Sequence, residues 1–97
     1  MASMAELSDS VLMATAAIPA GRVATYGDVG KVVGCGPRLV ARILAGSGGS
    51  TSWWRVVRAD GSIAEQLVSE ASTRLGREGV EVVGGRVDLA KHRAELE

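Results

Sequence analysis

The 97-residue chain has one cysteine, one histidine and three aromatic side chains, and each shortage removes a class of protein. Cys35 alone cannot close an internal disulfide, and together with the distant His92 it falls short of any ordinary metal site. No metal and no cofactor is expected. No apolar run approaches the ~20 residues that cross a bilayer, and no charged N-terminal region leads into an unbroken apolar stretch. The sequence therefore predicts a soluble, cytoplasmic protein with no membrane partner. Net charge is lacking too, since eleven Lys/Arg face eleven Asp/Glu. That balance leaves nucleic acid open, because the placement of basic groups decides the matter. Residues 1–63 carry six Lys/Arg against four Asp/Glu, and residues 64–97 five against seven.

What is present is nearly half apolar, enough for one core and one domain over residues 1–97. Leu7, Val11, Leu12, Thr15 and Ile18 share a helical face, predicting a helix over roughly 6–18, with Ser3 or Ser8 as its cap and Pro19-Ala20-Gly21 as its stop. Arg22-Val23-Ala24 is short and β-prone. Thr25-Tyr26-Gly27-Asp28 then reads as a capping box, which starts a second helix at Tyr26. Gly34-Cys35-Gly36 ends that helix, and Pro37 suits the first position of a third, whose apolar face is Leu39, Val40, Ile43 and Leu44. Two short helices around a glycine turn form a helix-turn-helix pattern. The Gly/Ser-rich stretch 45–52 is expected to be a flexible loop, and Trp53 to Val57 an extended segment that with the loop makes a wing. Residues 59–61 read as a turn, 64–78 as a helix, and 80–89 as a hairpin around Gly84-Gly85. Residues 90–97 read as a short helix or a frayed tail. The fold class is thus mainly α, a small winged-helix-like domain with a helix-turn-helix and a short β wing.

Few residues carry chemistry. Arg38 stands near the N-terminal end of the second helix of the motif, the end that meets DNA in such folds, although a solvated surface arginine fits the pattern equally well. Tyr26 fits ordinary core with its hydroxyl at the rim. The adjacent Trp53 and Trp54 are two of only three aromatics, and they follow a glycine-rich loop. On an extended segment they would face opposite ways, one into the core and one towards a surface where an extruded base could stack. Cys35 has no neighbouring base in the sequence to activate it and reads as a passive turn thiol. His92 reads as a solvated residue of the tail.

Ile18-Pro19-Ala20-Gly21-Arg22-Val23, Thr25-Tyr26-Gly27, Pro37-Arg38-Leu39-Val40, Trp53-Trp54-Arg55-Val56-Val57 and Asp60-Gly61 together resemble the C-terminal domain of the O6-alkylguanine-DNA alkyltransferases. The likeness covers roughly residues 7–63, and Arg86-Val87-Asp88-Leu89 resembles the tail of the cysteine-lacking branch. Against the enzymes' Pro-Cys-His-Arg-Val signature this chain has Ser52, Trp53 and Trp54 in place of proline, cysteine and histidine. A tryptophan at the cysteine position marks the alkyltransferase-like proteins, which bind O6-alkylguanine in DNA without repairing it and pass the lesion to nucleotide excision repair. Many of them keep the histidine, so Trp54 is a departure.

The resemblance implies a non-enzymatic monomer. Its partners would be double-stranded DNA carrying O6-alkylguanine and nucleotide excision repair proteins. Arg38 would fill the gap left by a flipped nucleotide, Tyr26 would help rotate it out, and Arg42 would join the DNA contacts of the motif. Trp53, Trp54 and Arg55 would form the lesion pocket. Gln66 lies near where some relatives place a pocket arginine. Two other readings compete: an alkyltransferase that uses Cys35, and a helix-turn-helix regulator that reads duplex sequence.

Overall fold

Ser3 caps α1 (Met4–Ala16) by accepting the Glu6 amide at 3.1 Å, and the helix buries Val11 and Thr15. The computed structural model describes residues 3–96; Met1, Ala2 and Glu97, the ends of the predicted domain and tail, lie outside the described residues. α1 ends before Pro19, whose ring disfavours helical backbone at Ile18. The capping box forms as read: Thr25 accepts from the Asp28 amide at 3.0 Å, and the Asp28 carboxylate accepts from the Thr25 amide at 3.1 Å. It launches α2 (Tyr26–Val33) from the two-residue strand β1 (Ala24–Thr25). Gly34 closes α2 with φ +86°, and the Gly34 and Cys35 amides both donate to the Gly30 carbonyl. A methyl group on Gly30 would run into the Cys35 carbonyl, so glycine is required where the two helices approach. α3 (Pro37–Ala45) follows.

The segment after α3 departs from expectation. Residues 46–50 are a succession of turns, held by bonds such as Ser47 amide to Leu44 carbonyl, and Thr51 ties the end of the stretch to the Leu12 carbonyl. Trp53–Arg55 is not extended but winds a 3-10 turn, closed by the Arg55 amide on the Ser52 carbonyl. Only β2 (Val56–Val57) is strand, and it pairs in parallel with β1, Ala24 opposite Val56 and Thr25 opposite Val57. The expected wing over 45–57 is therefore replaced by an internal seam. The curl answers to a distant partner: it lets the Arg55 side chain reach back to the Ile18 carbonyl at 2.9 Å.

The second half matches its pattern more closely. A 3-10 turn (Glu65–Leu67) leads into α4 (Val68–Arg77), then the hairpin β3 (Val82–Val83) and β4 (Arg86–Val87) turns through Gly84 and Gly85, both at positive φ. α5 (Leu89–His92) is capped by Asp88, and the chain then runs beside Val23, with backbone bonds from Val23 to His92 and from Ala94 to Val23. His92, read as a solvated tail residue, is half-buried.

Two apolar clusters organise the interior. One gathers Val11, Ile18, Ala24, Val29, Val40, Leu44 and Val56 from α1, α2, α3 and the β seam. The other gathers Val23, Val57, Ile63, Ala71, Leu75, Val80 and Val87 around α4 and the hairpin.

Candidate nucleic-acid interface

α3 presents Arg38, Arg42 and Ala45 to solvent while burying Val40 and Leu44. Arg38 and Arg42 are one turn apart and so share a face. Among the described residues neither pairs with a carboxylate. The helix start has Gly36 as N-cap without a side-chain cap, leaving its first amides open to an anion.

Beside this basic stripe is a cavity of ≈ 210 Å³, lined by Tyr26, Ala41, Leu44, Ala45, Gly48, Gly49, Trp53 and Leu67. It is smaller than the ~300–1,000 Å³ of drug-sized sites and suits a single planar ring system. Ala41 and Ala45 follow Arg38 by three and seven residues, so the arginine stripe borders the pocket mouth. Trp53 and Tyr26 reach it from different clusters: Trp53 packs against the α4 group and Tyr26 against the α1–α3 group. Burial pushes the Tyr26 hydroxyl pKa above its ordinary value, and the positive charge of Arg58 opposes that rise. The hydroxyl is therefore a neutral hydrogen-bond donor at pH 7.

Of the residues singled out in the sequence, the structure brings Tyr26 and Trp53 together in this pocket and sets Arg38 and Arg42 at its border. Trp54, Arg55 and Gln66 are not on its lining. Trp54 donates its indole N–H to Glu78 at 2.9 Å, and its ring lies under two guanidiniums, Arg74 at 4.6 Å and Arg55 at 5.3 Å. Arg55 grips Glu78 through Nε and Nη2, the latter at 2.7 Å. The two indoles meet edge to face, 6.1 Å between centroids and 89° between planes. Trp54 and Arg55 thus stand behind Trp53.

Glu78 was not singled out in the sequence. It also accepts the Gly21 amide at 3.1 Å. Burial would raise its carboxyl pKa, but hydrogen bonds from Arg55, Trp54 and Gly21 outweigh that and hold it below the ordinary value. Arg58 and Arg74 were missed as well. No local signal marks Glu78 or Arg58, and the one local sign at Arg74 is its i,i+4 spacing from Glu70, which says nothing of its place over Trp54.

Cys35 is half-buried in the turn between α2 and α3, packs against the α1–α3 cluster and is not on the pocket lining. Among the described residues no three His, Cys, Asp or Glu gather as a metal site, and no helix is long and apolar enough to cross a membrane.

A helix-turn-helix with an exposed basic second helix and an adjoining aromatic pocket defines the class of domain. The family profile described as 6-O-methylguanine DNA methyltransferase, DNA binding domain, matches residues 6–80, and the chain belongs to that family. It is 41% identical over 88 residues to an Escherichia coli (strain K12) protein described as a DNA base-flipping protein, covering 80% of this chain and 66% of that one. A Shigella flexneri protein of the same description gives the same values. The chain therefore spans just under two thirds of the length of these curated relatives. Its fold is similar to S. pombe Atl1 in complex with damaged DNA containing O6-carboxymethylguanine, with TM-score 0.87 and 26% identity over 97% of this chain and 99% of that one. S. pombe ATL in complex with DNA gives TM-score 0.85 and 27% identity over the same shares.

Proposed function

We propose that this chain is a non-enzymatic DNA-binding protein, acting as one monomeric domain in the cytoplasm, that recognises O6-alkylguanine by flipping the nucleotide into the Trp53 pocket. The observation that carries this reading is the pocket itself: a cavity of one-base size, walled by Trp53 and Tyr26, beside an arginine stripe on the second helix of the motif that pairs with no carboxylate among the described residues. Phosphate contacts from Arg42 and the open start of α3 position the duplex. Arg38 enters the stack where the nucleotide leaves, and the Tyr26 hydroxyl donates to the backbone of the rotating nucleotide. A poorly paired alkylguanine costs less to extrude than guanine, so the lesion and not the flanking sequence sets affinity. Base-flipping and damaged-DNA binding in the relatives support this.

Trp53 takes the position of the alkyl-accepting cysteine and offers no nucleophile, so the complex persists and marks the lesion for nucleotide excision repair proteins. Two matched duplexes that differ only in one O6-methylguanine test the reading. Tighter binding to the alkylated duplex is expected, together with an unchanged protein mass after incubation. A stable gain of one methyl group on Cys35 would establish an enzyme instead, and a fixed preferred sequence with indifference to alkylation would establish a transcription regulator.

A further inference from the structure

Every side chain that walls the Trp53 pocket is uncharged. Leu44, Leu67, the α3 alanines and the face of Trp53 form apolar walls, and the polar side-chain groups on the lining, the Tyr26 hydroxyl and the Trp53 indole N–H, are both neutral. The cations around Trp54 are already engaged. Arg55 is held by Glu78 and the Ile18 carbonyl, while Arg74 lies over the Trp54 ring and pairs with Glu70 at 3.0 Å. Arg58, whose charge acts on Tyr26, is exposed, and a solvent-screened cation contributes little to an ion pair. Arg38 and Arg42 face solvent on α3, where the reading above assigns them to the DNA.

We infer that this pocket takes guanines whose O6-alkyl group is neutral and discriminates against those whose alkyl group carries a negative charge. The inference rests on the lesion-recognition reading. A neutral alkyl chain that leaves water to meet Trp53, Leu44 and Leu67 gains with each methylene buried. A carboxymethyl group brings a carboxylate that must also leave water, and no cationic side chain on the lining receives it. Hydrogen bonds from neutral donors such as the Tyr26 hydroxyl and the Trp53 indole N–H do not neutralise that charge. S. pombe Atl1 is bound to DNA containing O6-carboxymethylguanine, and this chain, 26% identical to it, is expected to differ in its preference.

The test uses the full chain and duplexes identical except for guanine, O6-methylguanine, O6-propylguanine or O6-carboxymethylguanine at one position, with dissociation constants from fluorescence anisotropy at fixed salt. The propyl lesion is expected to bind at least as tightly as the methyl lesion. The carboxymethyl lesion is expected to bind at least fivefold more weakly than the propyl lesion of similar size, a difference of about 1 kcal/mol. Ala45→Lys then places an ammonium on the lining at an exposed position in the last turn of α3, where the helix dipole favours a cation. It is expected to narrow the propyl-to-carboxymethyl ratio at least twofold with the far-UV circular dichroism unchanged. A ratio below fivefold in the parent, or one that Ala45→Lys fails to narrow, overturns the inference while leaving lesion recognition standing. If no alkylated duplex outcompetes the unmodified one, both fall together.

Discussion

Glu78 lies away from the DNA face, and its removal should cost the fold heavily. Its carboxylate receives Arg55, the Trp54 indole and the Gly21 amide, and the side chains of Arg55 and Glu78 are only 15% and 13% exposed. Glu78→Ala leaves a guanidinium, an indole N–H and a backbone N–H without their acceptor. Breaking one side of a buried pair costs about 3–5 kcal/mol, and partial exposure here brings the expected loss to about 2–4 kcal/mol. At roughly 4–8 °C per kcal/mol for a domain of this size, Tm should fall by about 8–32 °C. Glu78→Gln keeps the volume and one acceptor oxygen, so its loss should be smaller, about 1–2 kcal/mol.

Acid supplies an independent check on the same residue. The carboxyl is depressed in the folded state, so the folded chain binds its proton more weakly than the unfolded chain does. The stabilisation is complete above the unfolded value of about 4.3 and is lost as pH falls through the depressed folded value. Urea titrations of parent and Glu78→Gln should therefore differ by a constant amount near neutrality and converge below pH ~4.3. A Glu78→Ala protein within about 1 kcal/mol of the parent at neutral pH, against the 2–4 kcal/mol expected from the buried pair, would refute the reasoning.

Four further outcomes are expected. Trp53→Ala should weaken binding to alkylated DNA by about 1–3 kcal/mol and weaken binding to unmodified duplex less; equal losses would make Trp53 a folding or docking residue. Arg38→Ala and Tyr26→Phe should each lower affinity for the lesion by roughly tenfold at near-parental Tm, and an unchanged affinity would remove that residue from the flipping step. Tyr26→Phe is the better probe than Tyr26→Ala, since the ring packs against the α1–α3 cluster. Binding should weaken with salt along a shallow log–log slope, because the neutral chain offers few cations to release counterions; a slope as steep as a strongly basic repressor's would contradict that. Gly30→Ala should destabilise by about 1–3 kcal/mol, as the methyl group forces α2 and α3 apart at the Cys35 carbonyl, and a Tm equal to the parent's would show that the turn yields freely.

What the sequence made legible was local. The Thr25–Asp28 capping box, the Gly34 turn and Pro37 at the start of α3 each depend on residues within a few positions, and all three are found as read. Trp53-Trp54 shows where that locality ends. Alternation along a strand was the basis for sending the two rings to opposite faces, yet the segment is a 3-10 turn and the rings meet at right angles. Its conformation answers to Glu78 and Ile18, 23 and 37 residues from Arg55, and no pattern within a short window reports such partners. The β1–β2 pair is equally hidden, because two-residue strands give no periodicity and a parallel pair needs a long crossover.

That hidden seam governs the site. Tyr26 belongs to the cluster of α1, α2 and α3, while Trp53 and Leu67 belong to the cluster around α4, so the pocket lies where two separately packed units meet. Its width is set by whatever fixes the register of one unit on the other, and two devices do this in the described chain. β1 and β2 lock Ala24 to Val56 and Thr25 to Val57, and Glu78 bridges the Gly21 turn, between α1 and β1, to Arg55 and Trp54 ahead of β2. Trp53 has its indole against Trp54, so a slackened Glu78 bridge moves the pocket wall while α2 and α3 keep their own packing. Loss of Glu78 should therefore erode discrimination between alkylated and unmodified DNA more than it erodes binding to duplex as such, which rests on Arg38, Arg42 and the start of α3.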